Sequence, residues 1–117
     1  MRYIIVSLIL LSTLWSQSAY EKGEYLYFSK ACSSCHGPSA EGSMSYPKLA
    51  HKKYTYLHKK LFYFRVGKVS SVSEQMMAQF AKKLSDEEIR DLCTFFSEHK
   101  DVKVEEMNDD YLGGVGS

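Results

Sequence analysis

Two cysteines three residues apart, Cys32 and Cys35, with His36 directly after the second, constrain this chain more than any other feature of its 117 residues. Two thiols at that separation can add across the two vinyl groups of one haem and fix the macrocycle through thioethers. The residue that follows is then held beneath the iron, where an imidazole nitrogen can ligate it. The chemistry requires this order and spacing, and Cys32-Ser33-Ser34-Cys35-His36 reads as a covalent haem-attachment motif of the c type. Three other readings need less of the motif. A disulfide or redox dithiol uses only the cysteines and would place a β-strand ahead of them, where none is read. A zinc centre needs further ligands of the same kind, and the chain offers no second Cys pair, only Cys93 on an apolar face. Chance is the third.

The start of the chain agrees with haem attachment outside the cytoplasm. Tyr3 to Trp15 is an almost unbroken apolar run behind Arg2, followed by small residues at Ser16, Ser18 and Ala19 and then by Glu21-Lys22. Thirteen residues are short for a bilayer core, which takes roughly 20 in helix. The order of a charge, an apolar run and small residues is that of a cleavable export signal, with cleavage after Ser18 or Ala19. The run contains no Cys on which a lipid anchor could be built. An uncleaved membrane anchor is the competing reading. Residues 1–19 are therefore expected to be a signal, 20–100 the folded domain and 101–117 a tail. The formal net charge is +1, which gives no nucleic-acid signal. Its distribution is uneven: residues 20–100 hold 13 Lys and Arg against 9 Asp and Glu, whereas from Asp101 onward there are 5 acids and 1 Lys. A mildly basic body thus carries an acidic, Gly-ending tail, read as mobile.

Hydrophobic spacing points to helices throughout and to an all-α domain. Residues 21–31 read as a first helix and 32–46 as turn-rich. Tyr54, Leu57, Leu61 and Phe64 share one face of a helix that should stop at Gly67. Residues 70–74 read as a polar loop. Ser85 and Glu88 form a capping box for a last helix with Ile89, Leu92, Cys93 and Phe96 inward. A second axial ligand is needed opposite His36 for a six-coordinate carrier, and thioether sulfur favours ferrous iron. Met1 lies in the signal, Met44 is close to the motif and Met107 is in the tail. Met76 and Met77 remain, placed in a loop before the last helix, with His51, His58 and His99 as alternatives that read as solvated side chains.

With these residues in place the chain resembles the small class I bacterial cytochromes c, in particular one half of the dihaem cytochromes c. The resemblance runs from about residue 23 to 99 and rests on five pieces: Gly23 and Tyr27 ahead of CSSCHG, YPKLA at 46–50, YLHKKLFYFRVGK at 56–68, MMAQFAKKLSDEEI at 76–89, and Phe95-Phe96. It implies a small cytochrome c fold packed around one covalent haem c. Met77, seven residues before Leu84, matches the family's axial Met, with Met76 as fallback. Pro47 matches the proline whose carbonyl accepts the Nδ1–H of the haem-ligating His. Gly23 matches the small residue at a close crossing of the first and last helices, with Phe95 or Phe96 against it. Tyr54, Leu57, Leu61 and Phe64 would line the haem. Cys93 stands where Ala is frequent and reads as a buried small apolar residue. The implied function is a periplasmic one-electron carrier rather than an enzyme, a monomer meeting redox partner proteins and the membrane only through a redox complex. Lys48, Lys52, Lys53, Lys82 and Lys83 would steer an acidic partner. A haem subunit of a larger periplasmic complex and an open-site catalytic haem protein are the alternatives; the Met pair argues against the second.

Overall fold

The computed structural model describes residues 16–101. The apolar run before Ser16 and the acidic tail after Asp101, with Met1 and Met107, lie outside the described residues. All regular structure within them is helical: α1 (Ala19–Ser29), α2 (Ser33–His36), α3 (Tyr54–Arg65), α4 (Val72–Ala81) and α5 (Asp86–Ser97). The α5 helix is the hub, packing on α1 and on α3, while α4 packs on α3.

Each helix end has a chemical cause. The Ser18 hydroxyl accepts the Glu21 N–H at 3.2 Å and caps α1, so the two residues flanking the expected cleavage point are the cap and first residue of this helix. It ends by Ser29, before Ala31 enters left-handed backbone at φ +60°, two residues earlier at each end than the sequence pattern suggests. Gly67, at φ +80°, stops α3. Its N–H donates to Phe64 and the Lys68 N–H to Tyr63, the paired bonds of a Schellman ending. Ser85 caps α5, accepting the Glu88 N–H at 3.1 Å while the Glu88 carboxylate accepts the Ser85 N–H at 3.1 Å.

The expected loop before the last helix is instead helical. Ser71 accepts the Glu74 N–H at 3.2 Å, and the Glu74 carboxylate accepts both the N–H and the hydroxyl of Ser70. The polar stretch 70–74 is therefore a capping device, and Met76 and Met77 sit within α4 rather than in a loop. Adjacent helical residues point about 100° apart, so the two methionines separate: Met76 is 54% exposed, whereas Met77 packs against the core.

The core is built around Tyr27, Leu57, Leu61, Leu84, Ile89, Leu92, Cys93, Phe95 and Phe96. The inward residues expected on α5 are all buried. Of the four expected on one face of α3, Leu57 and Leu61 are buried, Phe64 is half-buried and Tyr54 is exposed. The α1–α5 crossing is set by Gly23: a Cβ there would lie 2.0 Å from the Asp91 carbonyl oxygen and 2.8 Å from the Phe95 Cβ. Arg65 ties the end of α3 to the start of α5, donating to the Leu84 carbonyl at 3.2 Å and pairing with Asp86 at 2.6 Å. The exposed pairs Lys22–Glu87 and Lys30–Glu88 add little, as surface ion pairs do.

Gly23→Ala gains about 1 kcal/mol of helix propensity but drives a methyl group into helix backbone, an overlap of the kind that costs roughly 1–3 kcal/mol or more. Net destabilisation by about 1–2 kcal/mol is expected in denaturant titration, against about 1 kcal/mol for Ser85→Ala, which removes a cap.

Candidate functional site

The chain enters the site from the end of α1. The N–H groups of Ala31 and Cys32 donate to Phe28 and Tyr27, and a single helical turn follows in which the His36 N–H donates to Cys32 and the Gly37 N–H to Ser33. This turn, α2, occupies part of the stretch read as turns. It carries Cys35 and His36, with Cys32 at its N-cap. All three cysteines are unpaired thiols. Among the described residues no third His, Cys or carboxylate joins Cys32 and Cys35 as a metal group.

From Gly37 to Ala50 the chain folds back on the motif. The Gly42 N–H donates to the His36 carbonyl at 2.7 Å, Ser43 to Tyr46 at 2.8 Å, and Leu49 and Ala50 both to the Ala40 carbonyl. Gly42, at φ +69°, has room for no side chain, because a Cβ would lie 2.6 Å from Lys48 N and from Tyr46 O. The loop brings the Pro47 carbonyl 2.9 Å from His36 Nδ1. A carbonyl only accepts, so Nδ1 carries the proton and donates. The neutral ring then keeps its lone pair on Nε2, the atom free to ligate a metal. His36 is 8% exposed, and the Tyr46 ring lies 6.3 Å from it in an edge arrangement.

Behind the motif Tyr27 is fully buried, 5.4 Å from the Phe95 ring and 5.5 Å from the Phe96 ring. Its hydroxyl donates to the Gly37 carbonyl. The α1–α5 crossing is thus linked directly to the residue after His36. Burial, reinforced by the neighbouring Cys32 and Glu41, pushes the Tyr27 phenol well above its ordinary range. Burial also raises the Cys32 thiol, offset in part by a backbone hydrogen bond and Lys30. Cys93, fully buried, is pushed up to about 12 by desolvation alone.

The residues present fit a covalent haem. Two thiols lie at the cap and within one helical turn, the adjacent imidazole has its tautomer fixed by a carbonyl, and a thioether, Met77 of α4, packs against the core. Large apolar side chains remain exposed at Tyr46, at Tyr54, Tyr56 and Phe62 of α3, and at Met76 and Phe80 of α4. Apolar surface of this kind marks the binding of an apolar partner or group. The other histidines differ from expectation in one case. His51 is exposed and His58 half-buried, stacked on Tyr54 at 5.9 Å, but His99 is buried at the end of α5 rather than solvated. Its neighbourhood could not be seen in the sequence, because it is made by Phe95 from its own helix and by His51 from a distant loop. Lys48, Lys52, Lys53, Lys82 and Lys83 are all exposed.

The family model for cytochrome c matches residues 20–100. The chain belongs to the cytochrome c family. Membership implies covalently bound haem c. Among relatives, the chain is 33% identical over 67 residues to cytochrome c-554(548) of Halomonas halodenitrificans, covering 56% of this chain and 81% of that one. It is 31% identical over 67 residues to cytochrome c-552 of Acidithiobacillus ferridurans, covering 57% of this chain and 28% of that one. The fold is similar to that of cytochrome c4 from Acidithiobacillus ferrooxidans, with a TM-score of 0.61 at 25% identity over 74% of this chain and 52% of that structure. The chain therefore spans well under two thirds of two of these three proteins, and about half of the solved one.

The buried acids of this cytochrome give it an alkaline limit. Cys93 ionises at about 12 in the fold against an ordinary 9.0, so it favours the folded state fully below pH 9 and loses that contribution as pH rises towards 12. Tyr27, raised in the same sense, acts from about pH 10 upward. Cys93→Ala should flatten the fall of stability with pH between 9 and 12, measured by denaturant titration across that range. Tyr27→Phe strands the Gly37 carbonyl and should cost about 1–3 kcal/mol.

Proposed function

We propose that this cytochrome is a one-electron carrier with a single haem c, which Cys32 and Cys35 would attach and whose iron His36 and Met77 would ligate. The bond from His36 Nδ1–H to the Pro47 carbonyl at 2.9 Å carries this reading. That bond holds the imidazole in the ligating tautomer, fixes its orientation and increases its donor strength, as the outer partner of a metal-bound His does. Haem iron, when bound, supplies a one-electron couple between ferric and ferrous states. The chain's part is to keep both ligands in place through that change. His36 is anchored by α2, by Pro47 and, through Gly37, by Tyr27. Met77 is anchored by helix α4 and by the core it packs against. Rigid ligands on packed elements leave little to rearrange when an electron arrives or departs.

Met77 is preferred to Met76 because it turns inward where Met76 is exposed, and because the family pattern puts the ligand seven residues before Leu84. The apolar run at the start of the sequence supports export, with residues 1–19 removed, a domain from 20 to 100 and delivery to the periplasm, where haem c is attached. The mature carrier is read as a monomer whose acidic tail, 101–117, extends from a basic body. The exposed lysines at 48, 52, 53, 82 and 83 support docking on an acidic redox partner.

Expression with haem-maturation machinery and visible spectroscopy test the site. The wild-type protein should be low-spin, with the ferric charge-transfer absorption of Met–iron ligation. Met77→Ala should abolish that absorption and lower the reduction potential, while Met76→Ala should leave both unchanged. The reverse pattern transfers the ligand to Met76, and a high-spin ferric spectrum in the wild type overturns the carrier reading. Association with an acidic partner should slow as ionic strength rises, since the Debye length falls from about 30 Å at 0.01 M salt to about 10 Å at 0.1 M. A rate independent of salt contradicts lysine steering.

A further inference from the structure

We propose that His51, His99 and Asp101 form a second metal site, remote in sequence from the haem motif, that binds a divalent transition ion of the zinc type. His51 Nε2 lies 3.0 Å and His99 Nδ1 3.6 Å from the same Asp101 oxygen. The three donor atoms all lie within 4.8 Å of one another. Zinc bound tetrahedrally at about 2.0–2.1 Å from nitrogen and oxygen donors holds those donors roughly 3.3 Å apart, so adjustments of an ångström or so close the set around an ion. Two imidazoles and a carboxylate suit zinc, with copper and nickel as competitors, and disfavour calcium and magnesium, which take oxygen.

A hydrogen-bonded clasp on Asp101 accounts for only half of the cluster. The bond between His51 and Asp101 is a normal one at 3.0 Å. His99 is different: its side chain is 5% exposed, and its Nδ1 is a buried polar atom without a hydrogen-bond partner among the described residues. At 3.6 Å the Asp101 oxygen is beyond hydrogen-bond reach. Such an orphan calls for an explanation, and an ion is among the recognised ones. An ion between the two histidines and Asp101 gives this nitrogen the partner it lacks.

The two histidines are also held in place by the fold. The His51 N–H and the His99 N–H both donate to the Phe96 carbonyl, at 2.8 and 3.4 Å, which brings a loop residue and a helix-end residue to one point. Their rings lie 5.8 Å apart, and the Phe95 ring backs His99 at 5.3 Å. Between His99 and Asp101 the chain is fixed by the Lys100 N–H, which donates to the Tyr20 hydroxyl at 3.0 Å. His51 itself adopts left-handed backbone at φ +64°, uncommon for a residue with a side chain. An ion here would join three parts of the chain: the loop that carries Pro47, the end of α5 and the first residue of the acidic tail.

The test titrates Zn2+ into the haem-loaded protein, followed by calorimetry and thermal unfolding. One ion per chain should bind with micromolar affinity and raise the unfolding midpoint, because an ion that binds only the folded state stabilises it by mass action. Chelation with EDTA should reverse the shift. His51→Ala and Asp101→Asn change exposed residues and should each weaken binding at least tenfold, with the visible spectrum unaltered. His58→Ala, which changes a histidine outside the cluster, should bind as the wild type does. Asp101→Asn retains a hydrogen-bond acceptor but not the charge, so it separates an ion site from a clasp. Absence of Zn2+ binding by the wild type, equal binding by both cluster variants, or loss of binding in His58→Ala would overturn the proposal.

Discussion

Where α1 passes α5, main chain meets main chain at Gly23, with no space for even a methyl group beside the Asp91 carbonyl. The close approach has consequences along the whole first helix. One turn further on it buries Tyr27 against Phe95 and Phe96, and the length of the tyrosine then delivers its hydroxyl to the Gly37 carbonyl. The segment bearing Cys32, Cys35 and His36 hangs between those two points, from the end of α1 at one side and from Gly37 at the other. A shift at residue 23 would therefore be felt at the attachment motif, more than one helical turn away. The fold is small for its function, and much of its apolar surface stays uncovered on α3 and α4. A covalent cofactor would add to the core what a domain of this size cannot bury alone.

The parts of this architecture that were legible in the sequence are those with local causes. The capping box at Ser85 and Glu88, the Gly67 stop and the inward face of α5 depend on residues within a few positions of each other. The all-helical character followed from the same periodicities. The α4 helix was missed because Ser70, Ser71 and Glu74 look like a loop when read by composition, although their side chains satisfy the free N–H groups of a helix start. The misplacement of Met76 and Met77 followed from it. The contact between Pro47 and His36 had no signal in spacing or periodicity; only the family pattern pointed to it, and the geometry that achieves it, with Gly42 at a turn too tight for a side chain, is a property of the folded loop. The burial of His99 had no signal at all. Beyond Phe95 of its own helix, its surroundings include His51, which a distant loop brings to it.

Charge adds a separate layer. The lysines at 48, 52, 53, 82 and 83 are exposed and make no ion pair among the described residues, while Asp86, Glu87 and Glu88 in the first turn of α5 are engaged in its cap and in pairs with Arg65, Lys22 and Lys30. The exposed lysines and the acids at the start of α5 are thus different sets of residues, and selection on one can proceed without disturbing the other.

The partner of His36 is a main-chain carbonyl, and that choice has an evolutionary consequence. A carboxylate or amide in the same position could be deleted by a single codon change, whereas a carbonyl is supplied by any amino acid. No substitution at residue 47 removes the acceptor; substitutions can only displace it by altering the loop between Gly42 and Ala50. The tautomer and orientation of the histidine are in this sense buffered against mutation at its own contact. Its adjustable points lie instead at residues that shape the loop, so variation in the strength of this bond among related chains should trace to loop geometry rather than to the identity of the residue that accepts it.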